Sequence, residues 1–135
     1  MRLAIFGSRS LSDERVKIII LEEIADKNPT QIVTSAEPGG VCELAREIAK
    51  ETAIPLKLHF LNFKYLRGAF EHRSKEVIND CDYMVLIHDG ESKGTANELK
   101  QTIKAGRPYK YYELEKAEYP KSNGFKITED WSLNL

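Results

Sequence analysis

The sequence predicts a Rossmann-like α/β fold with three α/β/α layers and a five-stranded parallel sheet in the order 3-2-1-4-5. Apolar runs of strand length alternate with segments of helical periodicity, a pattern typical of a parallel sheet covered on both faces by helices. Right-handed crossovers then leave few topologies. The runs at residues 2–7 and 83–88 are the most uniformly apolar, which places strands 1 and 4 at the centre.

The individual elements follow from local patterns. Strands are expected at residues 2–7, 31–35, 56–61, 83–88 and 109–114. Helices are expected from a cap at Ser12 to Asn28-Pro29, from the turn at 36–40 to Ile54-Pro55, over 66–79, and from Thr95 to Lys104. The last twenty or so residues are expected to be irregular, with Asn123-Gly124 as a candidate hairpin turn and Trp131 as an anchor on the body.

The bulk composition favours one globular domain. The chain has 135 residues, of which 41% are hydrophobic and 30% charged, and its net charge is −1. We expect a single domain over residues 1–135, with a core at about 1–112 and a C-terminal extension at 113–135. The balanced charge argues against a general nucleic-acid or membrane surface. With no membrane-spanning stretch and no signal peptide in the sequence, a cytoplasmic location is expected.

Metal and disulfide chemistry is not expected. Cys42 and Cys81 lie in apolar patterns, as buried thiols do. The histidines His59, His72 and His88 are scattered and lack the spacing of metal ligands. The sequence therefore predicts no metal and no cofactor.

The loops after strands 1 and 4 are predicted to form a cleft, because in a doubly wound sheet the crevice lies where the winding reverses. Residues 7–10 (Gly-Ser-Arg-Ser) follow strand 1 and residues 89–95 follow strand 4, with the loop at 38–40 (Pro-Gly-Gly) beside them. Glycine-bearing loops that lead into a helix N-terminus can hold phosphate through backbone N–H groups. A phosphate site is therefore one interpretation of this end of the sheet.

Each of these motifs also has a purely structural interpretation. Residues 90–95 (Gly-Glu-Ser-Lys-Gly-Thr) suit a phosphate loop, but Thr95 and Glu98 also fit a Thr-x-x-Glu capping box. Arg9 can grip a phosphate through two hydrogen bonds, or it can be a solvated loop arginine. Lys93 likewise suits either a phosphate or solvent.

Arg73 is the most informative single residue, because it lies on the apolar stripe of the helix expected at 66–79. A charge there is paired or faces a polar cavity, unless its stem packs and its head reaches water. Glu43 and Glu98 each lie one turn into a helix. Either one can act as a general base or bind a ribose hydroxyl, or it can simply interact with the helix dipole.

Four segments in this order resemble the SLOG superfamily, the Rossmann-like domains named for the DNA-processing (Smf/DprA) proteins and the Lonely Guy phosphoribohydrolases. They are Gly7-Ser8-Arg9, the loop from Thr34-Ser35 to Gly39-Gly40, Arg73, and residues 90–95, which resemble the Gly-x-Ser-x-Gly-Thr loop of the small YspA/YpsA-related members. Residues 94–98 are similar to the second half of the Lonely Guy motif Pro-Gly-Gly-x-Gly-Thr-x-x-Glu, with Glu98 at its glutamate. Residues 89–92 depart from the first half, which favours binding over catalysis.

The resemblance implies a nucleotide or nucleotide-derived small molecule as the ligand. Residues implied in binding are Gly7, Ser8, Arg9, Ser35, Gly39, Gly40, Glu43, Gly90, Ser92, Lys93, Gly94 and Thr95, and those implied in catalysis are Glu98 and Arg73. In order of preference, the hypotheses are a nucleotide sensor or carrier, a nucleoside 5′-monophosphate phosphoribohydrolase, and a protein-interaction module with a vestigial cleft. A nucleic-acid partner is not favoured, whereas a homo-oligomer is compatible with the fold.

Overall fold

Six strands form one sheet in the order β3-β2-β1-β4-β5-β6. They are β1 (Arg2–Gly7), β2 (Gln31–Ser35), β3 (Leu56–His59), β4 (Tyr83–His88), β5 (Tyr109–Leu114) and β6 (Ile127–Asp130). The computed structural model describes residues 1–116 and 127–130. Strands β1 to β5 are parallel. The predicted five-stranded parallel order 3-2-1-4-5 is therefore confirmed.

Strand β6 extends the sheet beyond the predicted five strands. It pairs antiparallel with β5. The expectation of an irregular tail is therefore wrong at residues 127–130, where Ile-Thr-Glu-Asp is too short and too polar to reveal a strand by periodicity. The candidate turn at Asn123-Gly124 and the proposed Trp131 anchor lie outside the described residues.

Four α-helices cover the two faces of the sheet: α1 (Glu14–Lys27), α2 (Gly40–Glu51), α3 (Ala69–Asn79) and α4 (Lys93–Lys104). Side chains of α1 and α2 pack with Leu3 and Ile5 of β1. Side chains of α3 and α4 pack with Ala4 and Phe6, on the opposite face of the same strand. This alternation is the two-residue period of a strand buried on both sides. Within the described residues, no helix is long and apolar enough to cross a membrane.

Helix α1 is capped by Asp13, one residue later than the predicted cap at Ser12. The Asp13 carboxylate accepts a hydrogen bond from the backbone N–H of Arg15 (3.0 Å) and pairs with the Arg15 guanidinium (2.7 Å). A carboxylate at this position also interacts favourably with the helix dipole, which a serine hydroxyl does not. The predicted stop is confirmed, because Asn28 adopts the left-handed conformation directly after the helix.

The segment predicted as one helix over residues 66–79 is broken in two. A 3₁₀ helix covers Phe63–Gly68, and Leu66 within it has φ 49° and ψ −118°. The α-helical part starts only at Ala69. The positive φ at Leu66 cannot belong to a regular α-helix, so the apolar spacing that predicted a helix from 66 applies only from 69 onward.

Helix α4 begins at Lys93, two residues before the predicted start. The Asp89 carboxylate accepts hydrogen bonds from the backbone N–H groups two and three residues further on (2.8 and 2.7 Å), which orders the turn before the helix. Thr95 is consequently inside the helix and buried. The capping box predicted from Thr95 and Glu98 does not form, and Glu98 lines a cavity instead.

Candidate functional site

A cavity of about 250 Å³ lies at the carboxyl ends of β1 and β4. Register brings these ends together, because Gly7 pairs with Ile87 across the two strands. Residues that line the cavity are Phe6, Gly7, Ser8, Arg9, Glu37, Cys42, Phe70, Arg73, Ser74, Ser92, Lys93, Gly94, Thr95, Asn97 and Glu98. The cleft is therefore open space and is not filled by side chains.

Most of the residues predicted for the site line this cavity. The structure brings together Gly7, Ser8, Arg9, Arg73, Ser92, Lys93, Gly94, Thr95 and Glu98. They come from the loop after β1, from α3 and from the first turns of α4. Five predicted residues are not among the lining residues, namely Ser35, Gly39, Gly40, Glu43 and Gly90.

Ser8 fastens the two central loops to each other. Its buried hydroxyl lies 2.9 Å from the Ser92 hydroxyl and accepts a hydrogen bond from the Asp89 backbone N–H at 3.0 Å. Its own backbone N–H donates to the Ile87 carbonyl at 3.0 Å. Ser8 thus fixes the spacing between the loop after β1 and the start of α4, and its hydroxyl is already engaged.

Asp89 is the first residue of the predicted cleft loop at 89–95, and it orders this loop before α4. Burial works against ionisation of its carboxyl group. Hydrogen bonds from the Ser10 hydroxyl and from the backbone N–H groups of Glu91 and Ser92 outweigh burial and lower the pKa of Asp89 to about 2. The carboxylate is therefore permanently charged and holds the loop in shape at any physiological pH.

The first turn of α4 provides free N–H groups, a lysine and open space at the edge of the cavity. Lys93, Gly94 and Thr95 are its first three residues, whose N–H groups have no carbonyl acceptor within the helix. A Cβ atom added to Gly94 would meet no atom within 4 Å. Lys93 and, on the facing loop, Arg9 are exposed, and within the described part of the chain neither makes an ion pair. Arg9 and Lys93 form the rim of the cavity. Among the described residues, the rim therefore carries two unmatched positive charges beside a helix N-terminus.

Arg73 is the buried cation of the cavity, with only 4% of its surface exposed. Its Nη1 atom lies 2.8 Å from Oε1 of Glu37, and its guanidinium carbon lies 5.6 and 5.5 Å from the ring centres of Phe6 and Phe70. Within residues 1–116 and 127–130, its Nε atom has no hydrogen-bond partner. Of the predicted alternatives, snorkelling is wrong. The guanidinium is both paired and on the cavity wall.

Glu98 is a buried carboxyl group at the base of the cavity. Its Oε2 atom lies 3.5 Å from the Ser74 hydroxyl and 3.9 Å from Nη2 of Arg73. Burial raises the pKa of Glu98 to about 8, because Arg73 at that distance offsets only part of the desolvation and the Glu37 carboxylate adds repulsion. Glu98 therefore holds a proton at neutral pH.

The predicted residues outside the cavity support its walls. Glu43 accepts a hydrogen bond from the Gly39 N–H at 3.3 Å, as a first-turn acid of α2 does. The Ser35 hydroxyl accepts one from the Glu37 N–H at 3.3 Å. Gly40 has φ 66°, and a Cβ there would overlap the Arg9 backbone. These groups fix the loops from behind and do not face the cleft.

Six lining residues were missed by sequence reasoning: Phe6, Glu37, Cys42, Phe70, Ser74 and Asn97. Two of them had a usable signal. Glu37 is the acidic residue within the predicted glycine-bearing turn, and Phe70 precedes Arg73 by three positions on the same helix, which places both on one face. Ser74 belongs to no motif and Asn97 occupies an unspecified position of the motif at 94–98, so only the packing of α3 against α4 reveals them.

In comparisons with known proteins, no family model, no curated protein and no solved structure matches this chain. Among the described residues, no group of His, Cys, Asp or Glu side chains is arranged to hold a metal ion. The case for a function accordingly depends on the chemistry of the cavity itself.

Proposed function

We propose that the cleft binds a nucleotide or a nucleotide derivative, with the ligand phosphate at the first turn of α4, and that the chain is a SLOG-like sensor or carrier domain. The observation that carries this proposal is the convergence of Arg9, Lys93 and the α4 N-terminus on one open cavity. A helix N-terminus attracts anions through its free N–H groups and its dipole. Two unpaired cations beside it add charge-assisted hydrogen bonds to phosphate oxygens.

Two further features support this choice over a vestigial cleft. The cavity is open, whereas a cleft that had lost its ligand would be expected to fill with side chains. Gly94 leaves room for a phosphate to approach the backbone at the start of α4. The resemblance of residues 7–9, 73 and 90–95 to SLOG motifs points to the same ligand class.

Calorimetric titration with nucleoside monophosphates, cyclic nucleotides and ADP-ribose tests the proposal. We expect at least one of these ligands to bind, and the double variant Arg9→Ala/Lys93→Ala to bind it about 100-fold more weakly, since each charge-assisted hydrogen bond contributes roughly 1.5–3 kcal/mol. Lys100→Ala is the matched control, because this lysine is on α4 and exposed but does not line the cavity. Failure of the whole panel to bind would refute the proposal, as would equal losses in the double variant and the control.

A second candidate function is hydrolysis of the N-glycosidic bond of a nucleoside 5′-monophosphate. The observation that favours it is Glu98, a carboxyl group at the cavity wall whose pKa burial raises to about 8. A carboxyl group that is protonated at neutral pH can act as a general acid toward the departing base. This assignment differs from the expectation that Glu98 activates water, which would require the carboxylate form.

Release of free base from AMP, CMP and GMP is the assay for this second function. If the chain is a hydrolase, Glu98→Gln should lower the rate at least about 100-fold, because general acid catalysis typically contributes that much. Glu43→Gln is the matched control, an acid in the first turn of α2 that does not line the cavity. Activity that survives Glu98→Gln would remove Glu98 from the mechanism, and absence of base release would leave the binding function alone.

A further inference from the structure

Phe70 is an aromatic side chain that the fold leaves in water at the edge of the cleft. It is 56% exposed although it lines the cavity. Large exposed apolar side chains are concentrated in this region, since five of the nine among the described residues lie between positions 60 and 70. Of those five, Phe70 is the one that lines the cavity. The exposed Phe70 ring is therefore part of the cavity wall and accessible to a ligand.

The Phe70 ring is positioned by a buried group. The Arg73 guanidinium carbon lies 5.5 Å from the Phe70 ring centre and 5.6 Å from the Phe6 ring centre. Glu37 holds that guanidinium through a 2.8 Å contact. The Phe70 ring thus packs on the Arg73 guanidinium, which Glu37 holds in place. More than half of the Phe70 surface remains accessible to a ligand in the cleft.

The size of the cavity places part of a nucleotide at its rim. Its volume of about 250 Å³ is below the roughly 300–1,000 Å³ typical of sites that enclose a drug-sized ligand. The phosphate is assigned to the start of α4, with Arg9 and Lys93. Phe70 belongs to a different wall, the first turn of α3. A ligand anchored at α4 would therefore have its base outside the enclosed volume, within reach of the α3 wall.

We propose that Phe70 is the stacking surface for the base of the bound nucleotide and is the residue by which the site prefers a nucleotide to a sugar phosphate. The inference rests on the proposed function, because it takes the phosphate position from it. Stacking on an aromatic ring needs only a planar base, since every base has a π-face. The site selects for the presence of a base more strongly than for its identity.

Titration of wild type and Phe70→Leu with AMP and with ribose 5-phosphate tests this proposal. Leucine keeps apolar bulk but removes the ring. We expect Phe70→Leu to weaken AMP binding about tenfold or more and to leave ribose 5-phosphate binding unchanged. Phe63→Leu is the matched control, because Phe63 is 74% exposed in the preceding 3₁₀ helix and does not line the cavity. The control should bind both ligands as wild type does.

A tryptophan at the same position gives a spectroscopic readout that a merely structural role would not produce. In Phe70→Trp, AMP should quench the added fluorescence and ribose 5-phosphate should not, with the wild-type signal subtracted to remove the Trp131 contribution. Equal weakening of both ligands in Phe70→Leu, or no weakening of AMP, would overturn the inference and leave the proposed function standing. If wild type binds neither ribose 5-phosphate nor AMP nor any other nucleotide of the panel, both the inference and the proposed function are overturned.

Discussion

The cavity has an arginine at its rim, Arg9, and another in its inner corner, where Arg73 lies beside Glu37 and Glu98. The surroundings of the two arginines differ. At the rim, Arg9 and Lys93 are exposed and, among the described residues, make no ion pair. In the inner corner, Arg73 is buried, with Glu37 at 2.8 Å and Glu98 at 3.9 Å. Among the described residues, no carboxylate balances the positive charges of the rim, whereas in the inner corner the Glu37 carboxylate balances the Arg73 guanidinium.

This difference refines the roles that were expected from the sequence. Among the described residues of the cavity, an incoming phosphate finds unmatched positive charge at the rim, since at Arg73 it would have to compete with Glu37. The corner therefore serves to fix geometry, by holding Phe70 from below and by keeping Glu98 in a desolvated position. The loop residue Arg9 and the helix residue Arg73 therefore have different roles, because Arg73 is buried beside acids and Arg9 is exposed.

The largest expected effect separates the two arginines by stability. Arg73→Met should lower the free energy of unfolding by up to about 3–5 kcal/mol, because it removes a buried guanidinium and leaves the Glu37 carboxylate, whose side chain is 22% exposed, without its partner. Arg9→Met should change it by less than about 0.5 kcal/mol, as exposed substitutions do. Urea denaturation at pH 7 measures both values. Similar small losses in the two variants would mean that the corner is not a coupled buried cluster.

The second effect is a pH dependence that belongs only to the corner. The ordinary glutamate pKa is 4.5 and burial raises the pKa of Glu98 to about 8. Between these values the folded state retains a proton that the unfolded chain releases, so stability falls as pH rises, by at most about 1.4 kcal/mol per pH unit. Glu98→Gln cannot ionise and should lose this slope. The variant should match wild type near pH 5 and exceed it at pH 8 by roughly 3 kcal/mol.

Denaturation series at half-unit pH steps measure this slope. Glu43→Gln is a suitable control, because the Glu43 side chain is 48% exposed and does not line the cavity. The control series should run parallel to that of wild type. A Glu98→Gln series that also runs parallel to wild type would show that Glu98 titrates normally, and the general-acid role in the second candidate function would lose its basis.

The arrangement of the sheet was predictable because it depends on periodicity and on chain order. Strands such as residues 83–88 are apolar or aromatic up to the final histidine, and right-handed crossovers fix where they lie. The start of α4 was not predictable from its local motif. Thr95 and Glu98 have capping-box spacing, but Asp89 orders the turn before the helix instead. The Glu98 carboxyl group does not cap the helix and lies 3.9 Å from Arg73. The capping box therefore lost to a turn that combines local hydrogen bonds of Asp89 with its long-range bond from Ser10.

The site was predictable in its location but only partly in its chemistry. The rule for doubly wound sheets placed Arg9 and Lys93 at one cleft, and the structure places them there. The sequence could not reveal that Glu37 reaches Arg73, because 36 residues separate them and no periodicity links a loop to a helix. Burial of Glu98, and with it the raised pKa, likewise depends on how α3 packs against α4.

The smallest effect distinguishes two glycines of the cavity lining, Gly7, which packs closely against its neighbours, and Gly94, which adjoins open space. A Cβ on Gly7 would overlap the Ile87 carbonyl oxygen and lie 2.6 Å from Cγ2 of Val41. Gly7→Ala should therefore destabilise the fold by about 1–3 kcal/mol through overpacking. Gly94→Ala meets no atom within 4 Å and should stabilise α4 by about 0.5–1 kcal/mol, because alanine loses less backbone entropy in a helix.

At Gly94, the substitution to alanine should raise the stability of the fold and weaken ligand binding. The methyl group of Gly94→Ala would occupy space that a phosphate needs beside the first turn of α4, so the variant should be more stable and yet bind AMP more weakly. Thermal unfolding and calorimetric titration of the same preparation measure the two quantities. A Gly94→Ala protein that is stabilised and binds AMP undiminished would move the phosphate away from this turn, toward the Arg9 side of the rim.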